Sequence, residues 1–300
     1  MPALSSQPFD KQSYTSFSMV VFNKIKPVSE WVANQKKEGK SIGFVPTMGA
    51  LHKGHLALVE QAGRENDLVV CSIFVNPIQF NNKEDLKKYP RTIESDLKKL
   101  DGAGCDAVFS PDAEEMYPAG HQTKTYDFGR LDKVMEGRFR QGHFNGVAIV
   151  VKKLFEIVQP HRAYFGEKDF QQLQIVRSLV TQEKLGIQVI GCPTVREAGG
   201  LALSSRNTRL TEAQRREASR IYQALVKARD MYPASPVDQI KQQISDLINA
   251  SPELELEYAE IVCPDTLLPV TRSGRNTSAV ACVAVHAGKV RLIDNMYLNS

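Results

Sequence analysis

Short apolar runs alternate along the chain with segments whose apolar residues return every three or four positions. "SIGFVP" (41–46) is such a run, ending at Pro46 as a buried strand feeding a loop would. In the stretch after it, Leu56, Val59 and Ala62 mark one face of a helix. "DLVVCSIFV" (67–75) is apolar and rich in β-branched residues, which suits a parallel strand covered on both faces. The alternation predicts a helix near 92–101, a strand at "DAVFS", a helix near 146–158, a strand at "RAYFG", a helix near 169–184 and a strand at "GIQVIGC".

After "VREAGGLALSSRNTRL" the style changes. One long helix is predicted from about Thr211 to Tyr232, with Thr211 as N-cap and Gln214 completing a capping box. A break at "PASP" precedes a second helix over 237–249, and the strand-like runs "LELEYAEIV", "SAVACVAVHA" and "VRLIDN" follow.

Strands alternating with helices imply a Rossmann-like, doubly wound parallel sheet, whereas helices followed by strands imply a smaller C-terminal α+β domain. The boundary is expected near 192–200, giving domains over 19–194 and 195–300. Residues 1–18 are polar, Ser-rich and aperiodic, and are expected to form a loose arm. In the 146–158 segment, Val147, Val150, Val151, Leu154, Phe155 and Val158 form an apolar stripe, read as core packing with a subunit interface as the alternative.

Composition changes this picture little. An apolar share of 42% with 24% charged residues is ordinary for a globular protein, and a net charge of +4 gives no nucleic-acid footprint. No apolar run reaches the roughly 20 residues that span a bilayer. The five cysteines are scattered and form no C-x-x-C, which suits a reducing cytoplasm rather than a disulfide framework or a zinc knuckle.

Candidate chemistry gathers where strands are expected to end. In "GALHKGH" (49–55), His52 and His55 flank Gly54 at an expected helix start, where backbone N–H groups and imidazole donors would cradle an anion. The competing reading is two incidental histidines on a solvated helix end; zincin spacing is absent. In "YFGEKDFQQ" (164–172), Gly166, Glu167, Lys168 and Asp169 crowd a strand-to-helix turn. Lys168 suits a phosphate, Asp169 makes a good N-cap, and Gln172 offers an amide one turn in. "LALSSRN" places Ser204, Ser205 and Arg206 at the domain junction, as phosphate ligands or as a flexible linker. "IFVNPIQF" adds Asn76 and Gln79.

"PTMGALHKGH", "SIFVNPIQF", "YPRT", "GHFNGVAIVVKKLF", "FGEKDFQQLQIVR" and "VREAGGLALSSRN" together resemble the pantoate–β-alanine ligase family from about residue 20 to "RLIDN". The His-x-x-His and Ser-Ser-Arg elements also resemble the HIGH and KMSKS signatures of adenylate-forming enzymes. The resemblance implies an ATP-dependent ligase that joins (R)-pantoate to β-alanine through pantoyl adenylate, releasing AMP and pyrophosphate. It implies that Met48, Gly49, Ala50, Leu51, His52, Lys53, Gly54 and His55 hold ATP, with His52 and His55 stabilising the transferring phosphates. Gly166, Glu167, Lys168 and Asp169 would also serve ATP, with Lys168 opposite the α-phosphate. Val195, Leu203, Ser204, Ser205 and Arg206 would close over the nucleotide, with the C-terminal domain as lid. Gln79, Gln172 and Asn76 would position pantoate or β-alanine, and Asp96 would be a Mg²⁺-associated carboxylate. His55, His52, Lys168 and Arg206 would be catalytic, in a cytoplasmic homodimer that binds neither nucleic acid nor membrane.

Two rival readings remain at this level: a nucleotidyltransferase that keeps its adenylate as product, and a non-catalytic nucleotide-binding module. The chain also departs from the family pattern. Gly199 stands where aspartate is usual, which is expected to loosen the hinge, and Leu203 stands where methionine is common, expected to be near neutral.

Overall fold

The structure, a computed structural model, describes residues 17–80, 83–120, 124–274 and 276–299. Residues 1–16 of the expected arm lie outside the described residues. Phe17 packs against an apolar cluster, and the N–H and hydroxyl of Ser18 donate to the Asp101 carboxylate at 2.9 and 2.7 Å.

Among the described residues, β1 (Val20–Phe22), β2 (Ile42–Thr47), β3 (Leu68–Ile73), β4 (Ala107–Phe109), β5 (Arg162–Gly166) and β6 (Gln188–Cys192) form one parallel sheet in the order β1-β4-β3-β2-β5-β6. Successive residues alternate between its faces. Phe44, Val70, Ala163 and Phe165 enter a core built with helices Ile25–Lys37, His143–Val158 and Phe170–Gln182. Val45, Cys71, Val108 and Tyr164 enter a second core under helices Lys53–Glu65 and Ile93–Gly102. Both faces are covered, which is why the strands read as nearly unbroken apolar runs. The chain order reverses beside β2, which pairs with β3 on one side and β5 on the other. In such sheets a crevice opens outside the carboxyl ends of those strands.

Helix His143–Val158 has 12 of its 16 residues buried, so its apolar stripe is core within one chain. At roughly 1.5–3 kcal/mol for each large apolar side chain, this helix is a principal clamp on the sheet.

β7 (Leu254–Val262), β8 (Val280–Ala287) and β9 (Val290–Tyr297) form a separate antiparallel sheet. Helices Ser219–Met231 and Val237–Asn249 cover it, with Ile221, Leu225, Ile240, Ile244 and Ile248 meeting Val283 and Val285. A smaller cluster places Val262, Leu267, Val280 and Cys282 against Met135 and Phe170, so the two bodies meet through apolar contact. Among the described residues no helix is long and apolar enough to cross a membrane.

Besides the short helices Lys83–Lys88, Ala113–Met116 and Glu136–Phe139, two features differ from the pattern in the sequence. The helix expected over 211–232 starts as foreseen, with the Thr211–Gln214 capping box formed, but divides into Glu212–Glu217 and Ser219–Met231. At the break Ala218 is fully buried, and the Ser219 hydroxyl donates to the Arg216 carbonyl, a local bond that competes with the helical ladder. β1 and helix Ile25–Lys37 were not foreseen; a strand of three residues is too short to display a period.

The turn that joins the two bodies closes without a side chain at Gly199. Its turn closes through Gly200 N–H to Glu197 O and Glu197 N–H to Leu201 O, both 2.8 Å. Gly200 has φ +90°, and a Cβ there would lie 2.2 Å from Cδ1 of Tyr222, whereas a Cβ at Gly199 would meet only Ser219 Cβ, at 3.7 Å. Gly200→Ala is therefore expected to cost about 2 kcal/mol or more, and Gly199→Asp to be neutral or stabilising by up to about 1 kcal/mol. Thermal melts of the two variants check this; equal losses would sink the assignment of the hinge strain to Gly200.

Candidate active site

The loop after β2 turns because it must. Thr47 donates its hydroxyl to Ser72 O (2.7 Å) and accepts from Gly49 N–H (3.2 Å). Gly49 and Ala50 follow at φ +81° and +50°, left-handed values that free two consecutive N–H groups. The N–H groups of Ala50 and Leu51 donate to opposite oxygens of Asp96, each at 2.8 Å, and the Thr92 hydroxyl adds a third bond at 3.0 Å. Asp96 is fully buried. This corrects the expectation of a Mg²⁺-associated carboxylate: its oxygens are occupied in holding the loop.

The loop delivers His52 as the N-cap of helix Lys53–Glu65. Nδ1 of His52 accepts the Gly54 N–H at 3.2 Å, and Nδ1 of His55 accepts the His52 N–H at 3.3 Å. A nitrogen that accepts carries no proton, so both rings present Nε2–H as their donor. Burial, reinforced for His52 by the Lys168 charge and for His55 by the neighbouring imidazole, lowers their pKa values to about 4 and about 3. The rings lie 4.0 Å apart as paired neutral donors. They are thus helix caps and N–H donors together, neither incidental nor solvated as the competing reading had them.

At the end of β3, Asn76 is fully buried with both ends of its amide engaged. Its nitrogen donates to Gly146 O (3.0 Å) and Gln79 Oε1 (3.3 Å), and its oxygen accepts from Tyr117 Oη (3.0 Å) and Ile78 N–H (3.3 Å). Asn76 does not line the cleft, which corrects its assignment as a substrate ligand; it orients Gln79, which does line it. The Gln79 carbonyl pairs with His143 Nδ1 at 2.8 Å, so that nitrogen carries the proton. Burial, aided by Arg140, lowers the His143 pKa to about 4. A Cβ on Gly146 would lie 2.6 Å from Gln79 Cα, so the turn Pro77–Gln79 seats on helix His143–Val158 only over glycine.

Beyond β5, Glu167–Asp169 forms a single 3₁₀ turn. Asp169 occupies the N-cap position of helix Phe170–Gln182 without making a side-chain cap, which overturns the capping reading; its carboxylate lies 3.8 Å from Lys168 Nζ. Glu167 departs from expectation as well. It does not line the cleft, and its side chain lies over Gly191 of β6. Gln171, adjacent to the expected Gln172, is a strap, donating to Leu131 O and Val134 O and accepting from Glu136 N–H.

The "LSSR" segment is a pinned turn, not a loose linker. Leu203 N–H donates to Val195 O (2.9 Å), Ser204 Oγ accepts from Arg206 N–H (3.2 Å), and Asn207 donates to Glu197 and to Ala202 O.

These elements converge on two adjoining chambers of about 250 and 400 Å³. Met48, His52, Gly54 and His55 line the first, with Gln79, Gly166, Lys168, Asp169, Gln172, Val195 and Leu203 to Arg206. Arg140, Lys168, Asp169 and Arg206 border both chambers. Gly49, Ala50, Leu51 and Lys53 line neither, because the left-handed turn directs them under the loop or outward, Leu51 into the core. The sequence reading missed Arg140, His143 and Glu136. Glu136 is buried and forks onto Arg291 of β9 at 2.6 and 2.7 Å, with the Tyr258 hydroxyl at 2.9 Å. Burial raises its pKa, but Arg291 and Tyr258 outweigh that and hold it below the usual carboxylate range. The clustered charges of "EGRFRQGH" were the only signal in the sequence.

Among the described residues, no three histidine, cysteine or carboxylate side chains gather as a metal cage. The arrangement is one for anions: neutral N–H donors, a lysine and arginines facing a partly apolar chamber with two amides at its rim.

The chain matches the family model described as pantoate-β-alanine ligase over residues 20–297. Pantothenate synthetase of Bacteroides fragilis (strain YCH46) is 49% identical over 278 residues, covering 93% of this chain and 98% of that protein. That of Porphyromonas gingivalis (strain ATCC BAA-308 / W83) is 47% identical, covering 93% and 99%. The crystal structure of pantothenate synthetase from Thermus thermophilus has a TM-score of 0.88 at 44% identity, covering 94% of this chain and 100% of that one. Pantoate-β-alanine ligase from Francisella tularensis, complexed with β-γ ATP and β-alanine, has a TM-score of 0.77 at 35% identity, covering 93% and 98%.

Two outcomes test this geometry. His52 and His55 have folded-state pKa values below the ordinary 6.5, so they favour the neutral form. Their contribution to stability is full above about pH 6.5 and is lost as pH falls towards about 4 and about 3. Ring-nitrogen NMR at pH 6 should find both as Nε2–H tautomers; titration midpoints near 6.5 would contradict the capping geometry. Asp96→Ala should cost about 2–4 kcal/mol by stranding two loop N–H groups, with activity that excess Mg²⁺ does not restore. Recovery of the variant's turnover in a Mg²⁺ titration would return Asp96 to the metal.

Proposed function

The chain belongs to the pantoate–β-alanine ligase family and condenses pantoate with β-alanine at the expense of ATP; from that premise we propose that it works through pantoyl adenylate, using the cleft residues described above. In the first step a carboxylate oxygen of pantoate attacks the α-phosphorus, and the bond from that phosphorus to the bridging oxygen breaks as pyrophosphate leaves. Negative charge grows on the phosphoryl oxygens and on the leaving group. Lys168 and Arg206 supply fixed positive charge there, and the Nε2–H groups of His52 and His55 supply donors with no reorganisation cost. Neutral rings suit this place, because imidazolium so close to Lys168 would add like-charge repulsion.

In the second step the free amine of β-alanine attacks the acyl carbon. The bond to the phosphate oxygen breaks, AMP departs, and the extra proton on nitrogen passes to solvent. No protein nucleophile is required. Gln79 and Gln172 would hold pantoate through its hydroxyl and carboxylate groups, while Gly166, Asp169, Val195 and Leu203 to Ser205 enclose the nucleotide. The enclosure also keeps water from the mixed anhydride.

The observation that carries this reading is the convergence of His52, His55, Gln79, Lys168, Gln172 and Arg206 on one cleft from separate stretches of sequence. For Mg²⁺, the described residues do not fit a dedicated cage: Asp96 holds the loop and Glu136 is paired with Arg291. We therefore assign the ion to the ATP that enters, and no protein step runs through it. A division at residue 194/195, with the C-terminal part as lid, and a homodimer belong to the same proposal, as does a cytoplasmic setting, which five free cysteines suit.

Labelled pyrophosphate should exchange into ATP with pantoate present and β-alanine absent, since the cations that stabilise the forward transition state stabilise its reverse. Exchange that strictly requires β-alanine would eliminate the two-step route. Lys168→Ala should fold normally and lower that exchange by about 10²–10⁴-fold; near-normal exchange would remove Lys168 from the chemistry.

A further inference from the structure

The Lys168 turn leaves β5 where Gly166 pairs with Cys192 of β6, and it is also held from the C-terminal sheet. Gly166 before it offers no side chain, and Asp169 after it makes no cap. One side chain takes the carbonyls of both Glu167 and Lys168. Asn295, on β9 of the C-terminal sheet, donates Nδ2 to Glu167 O at 2.8 Å and to Lys168 O at 3.0 Å. Carbonyls only accept, so the amide must turn its NH₂ to them, and both of its hydrogens are committed. Asn295 is itself 6% exposed.

Asn295 is in turn held in place. Its N–H donates to Asp294 Oδ1 at 2.8 Å, and the buried Asp294 carboxylate is gripped by the guanidinium fork of Arg196 at 2.5 and 3.0 Å. Arg196 lies 4.5 Å from the Tyr222 ring, donates to Gly200 O at 3.1 Å, and bridges to Ala202, next to Leu203. A continuous path thus runs from the hinge segment that carries Ser204 to Arg206, through β9, to the backbone of the Lys168 turn.

We propose that Asn295 is a positioning residue for adenylation: through the Arg196–Asp294 clamp, the seating of the C-terminal sheet sets the backbone of Lys168, so that the lysine and the Ser204–Arg206 turn reach their working positions together. This rests on the reading of Lys168 as the α-phosphate cation. The dependence is greater in the first step, where charge grows on the oxygens of the α-phosphorus and on departing pyrophosphate together, than in the second, where it grows only on the α-phosphate oxygen as AMP departs.

The test compares Asn295→Ala, Asn295→Ser, Lys168→Ala and the double variant Asn295→Ala/Lys168→Ala in the full-length enzyme, each half-reaction being measured separately. Asn295→Ala should lower kcat for pyrophosphate exchange by about 10–100-fold with KM for ATP and pantoate changed less than about 3-fold. Asn295→Ser, which keeps one donor, should fall between it and the parent. The loss in conversion of supplied pantoyl adenylate by β-alanine should be at least about 3-fold smaller than the loss in exchange, and adding Asn295→Ala to Lys168→Ala should cost less than about 3-fold more. If both half-reactions fall together, or if the two losses multiply in the double variant, Asn295 merely stabilises the fold and the proposal is overturned. Full exchange by Asn295→Ala or Asn295→Ser beside an inactive Lys168→Ala overturns it too. Full exchange by Lys168→Ala itself would instead overturn the reading on which it rests.

Discussion

A buried carboxylate accepting two consecutive backbone N–H groups is the contact on which the cleft depends. Without Asp96 beneath it, the turn at Gly49 and Ala50 would leave the Ala50 and Leu51 N–H groups unpaired inside the protein, at roughly 1–3 kcal/mol each. With it, the left-handed turn is tolerated and helix Lys53–Glu65 starts at His52. The histidines then follow from helix capping rather than from a rotamer choice in open solvent. Lys99 adds to the same anchor by donating to Leu51 O at 2.7 Å.

The same economy recurs at the other strand ends. At each one a residue facing the chambers is held by buried polar neighbours or a close glycine: Gln79 by Asn76, His143 and Gly146; the 131–136 loop by Gln171; the "LSSR" turn by Asn207. Strand ends leave backbone groups unpaired, and buried polar side chains are the available partners. A cleft built outside a parallel sheet therefore needs an inner ring of polar residues merely to hold its shape.

Electrostatics divides the labour further. The positive charge facing the chambers is carried by lysine and arginine, while the histidines are neutral. Placing both histidines as acceptors of N–H groups commits them to that state, because an imidazolium has no lone pair to offer a backbone donor. Acid should therefore weaken the fold at this loop as the unfolded chain gains protons that the folded rings refuse.

The sequence by itself determined the two-body architecture, the parallel character of the first sheet and the stretches that would supply the site, since these follow from local periodicity and from turn chemistry within a few residues. "RAYFG" and "LELEYAEIV" coincide with strands to the residue, and the Thr211 capping box formed as read. Tertiary structure alone decided which polar residue of each cluster faces the cleft. Asp96 and Gln79 are both polar, the one near a helix start and the other past a strand end, yet Asp96 is sealed beneath a loop and Gln79 lines the chamber. Arg140, Glu136 and Asn295 were invisible for a related reason: their meaning lies in partners far along the chain, such as Glu136 with Arg291, 155 residues apart. Periodicity reports which face of an element is dry, but hydrogen-bond pairing between distant loops depends on how the elements are packed, and that packing carries no local signature.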